Sequence, residues 1–221
     1  MGFKTKNGVL LKYESAGALE RLGIRKQGET VAVPRNITEI ADEAFSMTEV
    51  VSVSVPSSVT MIGERAFALC ADLESVSLAS GLHEIASNAF DGCHVLKSIT
   101  IPDTCEIVGA WAFCNCSGLR QIQLSAGMDT VALGAFSGCS RLEELTIPSG
   151  IQHIDKRAFY ACTALNDLHL SNGLRTIGRE AFACCTSLAT VSIPETVTEI
   201  CEDAFADCPE LRVAIIPPSV T

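Results

Sequence analysis

The stretch Cys139–Ala161 reads CSRLEELTIPSGIQHIDKRAFYA, and Cys162 begins the same pattern again. Its apolar positions are Leu142, Leu145, Ile147, Ile151, Ile154, Ala158 and Phe159, with Pro148 directly after the first three. The phenylalanine recurs at Phe45, Phe67, Phe90, Phe113, Phe136, Phe159, Phe182 and Phe205, always preceded by alanine. The first interval is 22 residues and the six that follow are 23. Self-similarity at a fixed period of this length is the mark of a solenoid, in which each repeat buries its apolar face only against its neighbours.

Each repeat divides in two. Segments such as Ile99-Thr100-Ile101-Pro102 and Val191-Ser192-Ile193-Pro194 alternate apolar and polar residues and read as short strands. The proline, without an amide donor, fits where the strand stops pairing. The second part, for example 197–205, keeps apolar residues three and four apart and reads as an extended or short-helical return. Gly63, Gly109 and Gly178, alternating with Ala86 and Ala132, mark an expected tight turn. The expected fold is an α/β-type solenoid in which short parallel strands form one curved sheet, about 40 Å long at ~4.8 Å per strand.

Upstream, Phe3, Thr5, Asn7-Gly8, Val9, Leu11 and Tyr13 alternate around an Asn-Gly pair, a strong hairpin signal. Ser15 to Leu22 reads as a helical turn stopped by Gly23. The domain reading is a cap over 1–30, hairpin plus short helix, followed by about eight repeats over 31–221 with an uncapped C-terminal end. There, Val213 and Ile215 make the last strand apolar on its outer face, a template for self-association.

The recurring Cys-x-x-Leu-x-x-Ile-x-Ile-Pro-x-x-Val-x-x-Ile-x-x-x-Ala-Phe resembles the BspA-like, or Treponema-type, leucine-rich repeat. The opening Asn7-Gly8-Val9-Leu10-Leu11-Lys12-Tyr13 is similar to the segment that precedes such arrays. The resemblance covers about residues 31–221. It implies a horseshoe-like leucine-rich repeat array with a binding or adhesion role at bacterial or protozoan surfaces, and it carries no catalytic residues.

The net charge of −10 and a pI near 4.8 disfavour nucleic acid and anionic membranes, which need clustered lysine and arginine. No apolar run reaches the 18 residues of a membrane span, and the first residues lack the apolar core of a signal peptide. Of eleven cysteines, seven form one column, Cys70, Cys93, Cys116, Cys139, Cys162, Cys185 and Cys208. Thiols stacked by translation all point one way and cannot face each other as a disulfide requires, so they read as buried small hydrophobes. Free thiols without an export signal favour the cytoplasm for this chain, or the cell surface if it is a fragment of a longer protein.

With the apolar phase set, the outward strand positions follow. Small hydroxyls flank a central group of larger polar residues, Gln121, Gln123, Glu144, Thr146, Asp167 and His169, the expected partner-binding stripe. Ile107, Trp111 and Leu133 occupy positions that other repeats fill with charged residues and read as a second contact patch. A nucleophilic set of Ser192, His169 and Asp167 lacks an enclosed pocket on an open sheet. The adjacent thiols Cys114, Cys116, Cys184 and Cys185 do not converge as a zinc site needs. The expected protein is a non-catalytic scaffold for a protein or peptide, without metal or cofactor. The alternative is an adhesive segment of a larger surface protein.

Overall fold

A computed structural model describes residues 2–14 and 28–221; the helical turn expected at Ser15–Leu22 lies outside the described residues. The chain opens with a hairpin of β1 (Gly2–Lys6) and β2 (Val9–Glu14), turned by Asn7 and Gly8, both at positive φ, as a two-residue hairpin requires. It then winds as a β-solenoid of about eight turns.

One side of each coil is a strand of three to six residues: β3 (Glu29–Ala32), β5 (Val50–Val55), β7 (Ser75–Leu78), β9 (Ser98–Thr100), β11 (Gln121–Gln123), β13 (Glu144–Ile147), β15 (Asp167–Leu170), β17 (Thr190–Ser192) and β19 (Val213–Ile215). Pairing is parallel and keeps the repeat phase, with Ser52 beside Ser75, Glu144 beside Asp167 and Thr190 beside Val213.

The expectation of one sheet needs correction, because a second parallel ladder runs along another side of the coil. Its strands have two residues each: β4 (Glu39–Ile40), β6 (Met61–Ile62), β8 (Glu84–Ile85), β10 (Ile107–Val108), β12 (Thr130–Val131), β14 (His153–Ile154), β16 (Thr176–Ile177) and β18 (Glu199–Ile200). Strand β2 joins this ladder by pairing with β4, Leu10 beside Ile40. Two residues are too few to show an alternating pattern in the sequence; here the pairing is created by stacking. The inner residue of the ladder is buried from Leu10 through Ile177.

The short-helical returns also need correction: among the described residues there is no helix. The segment around Ala-Phe is a pair of turns with two left-handed positions. One lies just before the alanine (Arg65 φ 54, Trp111 φ 60, Glu180 φ 55), the other two residues after the phenylalanine (Leu69 φ 57, Ala161 φ 56, Cys184 φ 60). A left-handed residue on either side stops helix propagation, at about 1–2 kcal/mol for each residue with a side chain. The offset comes from neighbouring coils. The Phe67 amide donates to the Ala89 carbonyl at 2.7 Å and that of Phe136 to Ala158 at 2.8 Å, a ladder repeated from Phe45 to Phe182. The apolar spacing of three and four therefore arises from stacked turns.

The eight phenylalanines fill the interior as a column of rings 4.7–5.4 Å apart, nearly parallel along most of its length. Phe45 to Phe182 are fully buried, and only Phe205 in the last coil is partly open. Tyr13 extends the column, its ring 5.0 Å from that of Phe45 and its amide donating to the Ala44 carbonyl. Its hydroxyl donates to the carboxylate of Glu29, itself only 8% exposed. Burial, then that carboxylate, push the Tyr13 hydroxyl well above its usual pKa.

The seven column cysteines are unpaired and lie inside, all but Cys208 fully buried. Each thiol also donates to a phenylalanine carbonyl about one coil back, from Cys70 to Phe45 at 3.0 Å through Cys208 to Phe182 at 3.3 Å. Thr48 stands where the column would begin and donates to the same Phe45 carbonyl. Gly63, Gly109 and Gly178 are not at positive φ. They sit where a β-carbon would come 2.6–2.7 Å from the previous coil's backbone, so close approach, rather than turn geometry, favours a small residue there.

Candidate interaction surfaces

The outer face of the long-strand ladder carries the central polar group. Gln121 and Gln123 project from β11, Glu144 and Thr146 from β13, Asp167 and His169 from β15, and all six side chains are exposed. Alternation along each strand puts Ile122, Leu145 and Leu168 on the opposite, inner face. Parallel pairing sets Glu144 beside Asp167 and Thr146 beside His169. His169 Nε2 lies 3.1 Å from Asp167 Oδ1, with both side chains more than half exposed. Toward the N-terminus the same face carries small hydroxyls, where Ser75 donates to Ser52 at 2.9 Å.

A shallow depression of about 470 Å³ opens on this face, lined by Lys97, Ser98, Arg120, Gln121, Glu143 and Glu144. Lys97 pairs with Glu74 at 2.5 Å and Arg120 with Glu143 at 3.6 Å, all exposed. Gln121 and Glu144 were legible as outward strand residues. Lys97, Arg120 and Glu143 were missed because they precede the strands, although the column Glu74, Lys97, Arg120, Glu143 keeps the 23-residue phase.

Ser192 is exposed on β17, and nothing encloses it with the surface pair Asp167 and His169. Among the described residues no group of three or more His, Cys, Asp or Glu side chains is placed to hold a metal. Burial, then the carboxylate of Asp91, push the Cys114 thiol up to about 11, and burial does the same for Cys105. Both stay protonated at neutral pH. No helix of the described residues is long and apolar enough to cross a membrane.

Of the second group, Ile107 is 53% and Leu133 36% exposed, while Trp111 is half-buried. The Trp111 amide donates to the Leu133 carbonyl at 2.9 Å, and its ring lies across Gly134, so Trp111 packs onto the next coil. Val213 and Ile215 of β19 are about half exposed, with β17 the partner of that strand.

Comparison with known proteins agrees with this architecture. The family model described as "BspA type Leucine rich repeat region" matches in six copies over residues 26–120 and 83–212. No curated protein matches the chain. A leucine-rich repeat protein of Treponema pallidum is similar in structure, with TM-score 0.71 and 28% identity over 81% of this chain and 82% of that one. One from Bacteroides ovatus shares the fold at TM-score 0.63 and 24% identity, over 96% of this chain and 64% of that one. A leucine-rich cell surface protein of Faecalibacterium prausnitzii aligns at TM-score 0.51 and 26% identity, over 82% of this chain and 52% of that one. With the family model matched over most of its length, this chain belongs to the BspA-type leucine-rich repeat proteins.

Proposed function

We propose that the chain is a non-catalytic scaffold that binds a protein or peptide partner across the outer face of its long-strand ladder. The observation that carries this reading is the placement of Gln121, Gln123, Glu144, Thr146, Asp167 and His169. They are six exposed polar side chains on three successive strands beside the charged depression at Lys97 and Arg120. Their backbones are held by ladder bonds and their inner neighbours are packed in the core, so a partner meets a surface already ordered. Most repeat proteins of this kind present such surfaces to other proteins rather than a reaction pocket.

A peptide-display library selected on the wild-type chain provides the test. Clones should lose binding to a variant with Glu144→Ala, Asp167→Ala and His169→Ala, whose melting temperature stays unchanged because none of the three is buried. Clones that bind both proteins equally would sink the assignment of this face.

A second reading, an adhesive or spacer segment of a larger surface protein, is favoured by one observation. Over 82% of its length the chain is similar, at 26% identity, to a leucine-rich cell surface protein of F. prausnitzii. Surface display of the full gene product, probed by antibody on intact cells, tests it; a signal seen only after lysis counts against it.

A further inference from the structure

Two residues stand just before the Ala-Phe pair of each coil, and all of them but Gly134, which the Trp111 ring covers, are at least partly open to solvent. On the two middle coils these positions hold Trp111 and Leu133, apolar where most coils are charged or polar, and joined by the Trp111–Leu133 backbone hydrogen bond of 2.9 Å. Two coils before Trp111 they hold Glu64 and Arg65. Two coils after Leu133 they hold Arg179 and Glu180, the same charges in reversed order. Neither Glu64 nor Arg65 takes part in an ion pair among the described residues, and both are exposed. Arg179 lies in a fan of acids, 3.2 Å from Glu180, 3.5 Å from Glu202 and 3.6 Å from Asp203, and Glu180, its side chain 15% exposed, is also paired with Arg157.

We infer that this turn face docks on the same face of a second copy of the chain. The two solenoids run antiparallel about a two-fold axis that passes between the coils of Trp111 and Leu133. A two-fold contact joins one patch to itself, so the patch must be self-complementary. With the axis there, Trp111 meets the Leu133–Gly134 coil of the second copy, Glu64 meets its Arg179 and Arg65 meets its Glu180. Each relation occurs twice. Apolar residues hold the centre and charges the rim, the arrangement of protein interfaces generally. The register is specified by charge. Sliding the second copy by one coil, which moves the axis by half a coil, would set Glu64 against Glu202. In the register given, the next coils outward, Asp42 against Glu202, bound the contact to six coils. The sheet face stays free, so this inference does not depend on the proposed partner-binding role.

Sedimentation of the intact chain over a range of concentration tests it. The wild type should dimerise by about 100 µM, the range in which small interfaces register. Exchanging the two free charges, Glu64→Arg with Arg65→Glu, keeps composition and net charge. The backbone accepts it, because Glu180 sits at φ 55 where Arg65 sits at φ 54. That exchange should weaken dimerisation about tenfold or more by opposing like charges. Adding Arg179→Glu with Glu180→Arg should restore it, together with Arg157→Glu so that position 180 keeps an oppositely charged neighbour in its own chain. Trp111→Asn should give a monomer with an intact fold, since Asn88 occupies the same position at φ 57. Ile215→Lys, at the edge of β19, should leave the dimer in place. A chain monomeric at every concentration would overturn the inference, as would a dimer indifferent to the charge exchange and to Trp111→Asn. Loss of the dimer in Ile215→Lys would also overturn it, by assigning association to the strand edge. So would a doubly exchanged chain that folds and does not recover.

Discussion

The indole of Trp111 lies across Gly134 of the next coil, so close that a β-carbon on Gly134 would stand 2.2 Å from the ring. Both residues are left-handed, both at φ 60, and they occupy the same position in successive repeats. The glycine gives the backbone its conformation without cost and leaves the space that the ring takes. Trp111, a bulky side chain in that region, holds a position worth roughly 1–2 kcal/mol of strain.

Gly134→Ala should therefore lower stability by about 2–4 kcal/mol, combining left-handed strain with displacement of the ring. Trp111 is the only tryptophan, so its fluorescence reports the displacement as a red shift. Combining Gly134→Ala with Trp111→Asn should recover the steric part of that loss. Costs in denaturant that simply add would show that ring and glycine do not interact.

The phenylalanine column gives a positional prediction. Phe113 and Phe136 lie between stacked rings at 4.9–5.4 Å and are fully buried, whereas Phe205 has a ring partner on one side and is partly open. Truncation of a core phenylalanine to alanine costs about 3–5 kcal/mol. Phe136→Ala should reach that range and Phe205→Ala should fall to about half of it or less. Equal losses of denaturation midpoint would mean that the end coil is as tightly packed as the middle.

How much was legible in the sequence follows from the same residues. Phe136, Cys139, Leu142 and Leu145 recur in phase, and burial obeys phase alone, so the interior and the outward face with Gln121 and Asp167 could be read directly. The return path could not. Arg65, Trp111 and Leu69 adopt a conformation that glycine or asparagine ordinarily marks, and only hydrogen bonds to the next coil hold them there. Local spacing then imitates a helix. Strands such as Glu39–Ile40 are likewise products of stacking, too short to leave a pattern. On the sheet face, Lys97 and Arg120 stand just before the strands Ser98–Thr100 and Gln121–Gln123, where no apolar alternation marks a residue as facing outward.

The buried thiols predict sensitivity to alkali. Burial pushes Cys70 from 9.0 to about 11 and Cys162 to about 12, so the folded chain keeps protons that the unfolded chain releases. Below pH 9 this contribution is fully present; as pH rises from 9 toward 11 the unfolded state ionises first and stability is lost. The limiting slope is about 1.4 kcal/mol per pH unit for each such thiol. Urea midpoints should fall steeply over this window and less steeply in a chain with Cys70→Ala and Cys162→Ala. A thiol reagent at about pH 8 should meet few reactive groups before denaturant is added. Rapid labelling of most thiols in the folded chain would contradict the burial.

The hairpin is tied to the array through Tyr13, which both stacks on Phe45 and donates its hydroxyl to Glu29. These two roles separate by substitution. Tyr13→Phe keeps the ring at 5.0 Å from Phe45 and removes only the bond to a carboxylate that is 8% exposed, so it should cost about 1–3 kcal/mol. Tyr13→Ala also removes the ring and leaves the Phe45 face open, which should raise the loss to about 3–5 kcal/mol. Amide exchange locates the damage. The Ala41 amide, which donates to the Leu10 carbonyl at 2.9 Å, should lose protection in Tyr13→Ala well before the middle coils do, because a solenoid opens from a weakened end. Equal loss of protection at Ala41 and at Phe136 would mean that hairpin and coils unfold as one unit, and the hairpin could not then be the separately opening end of this array.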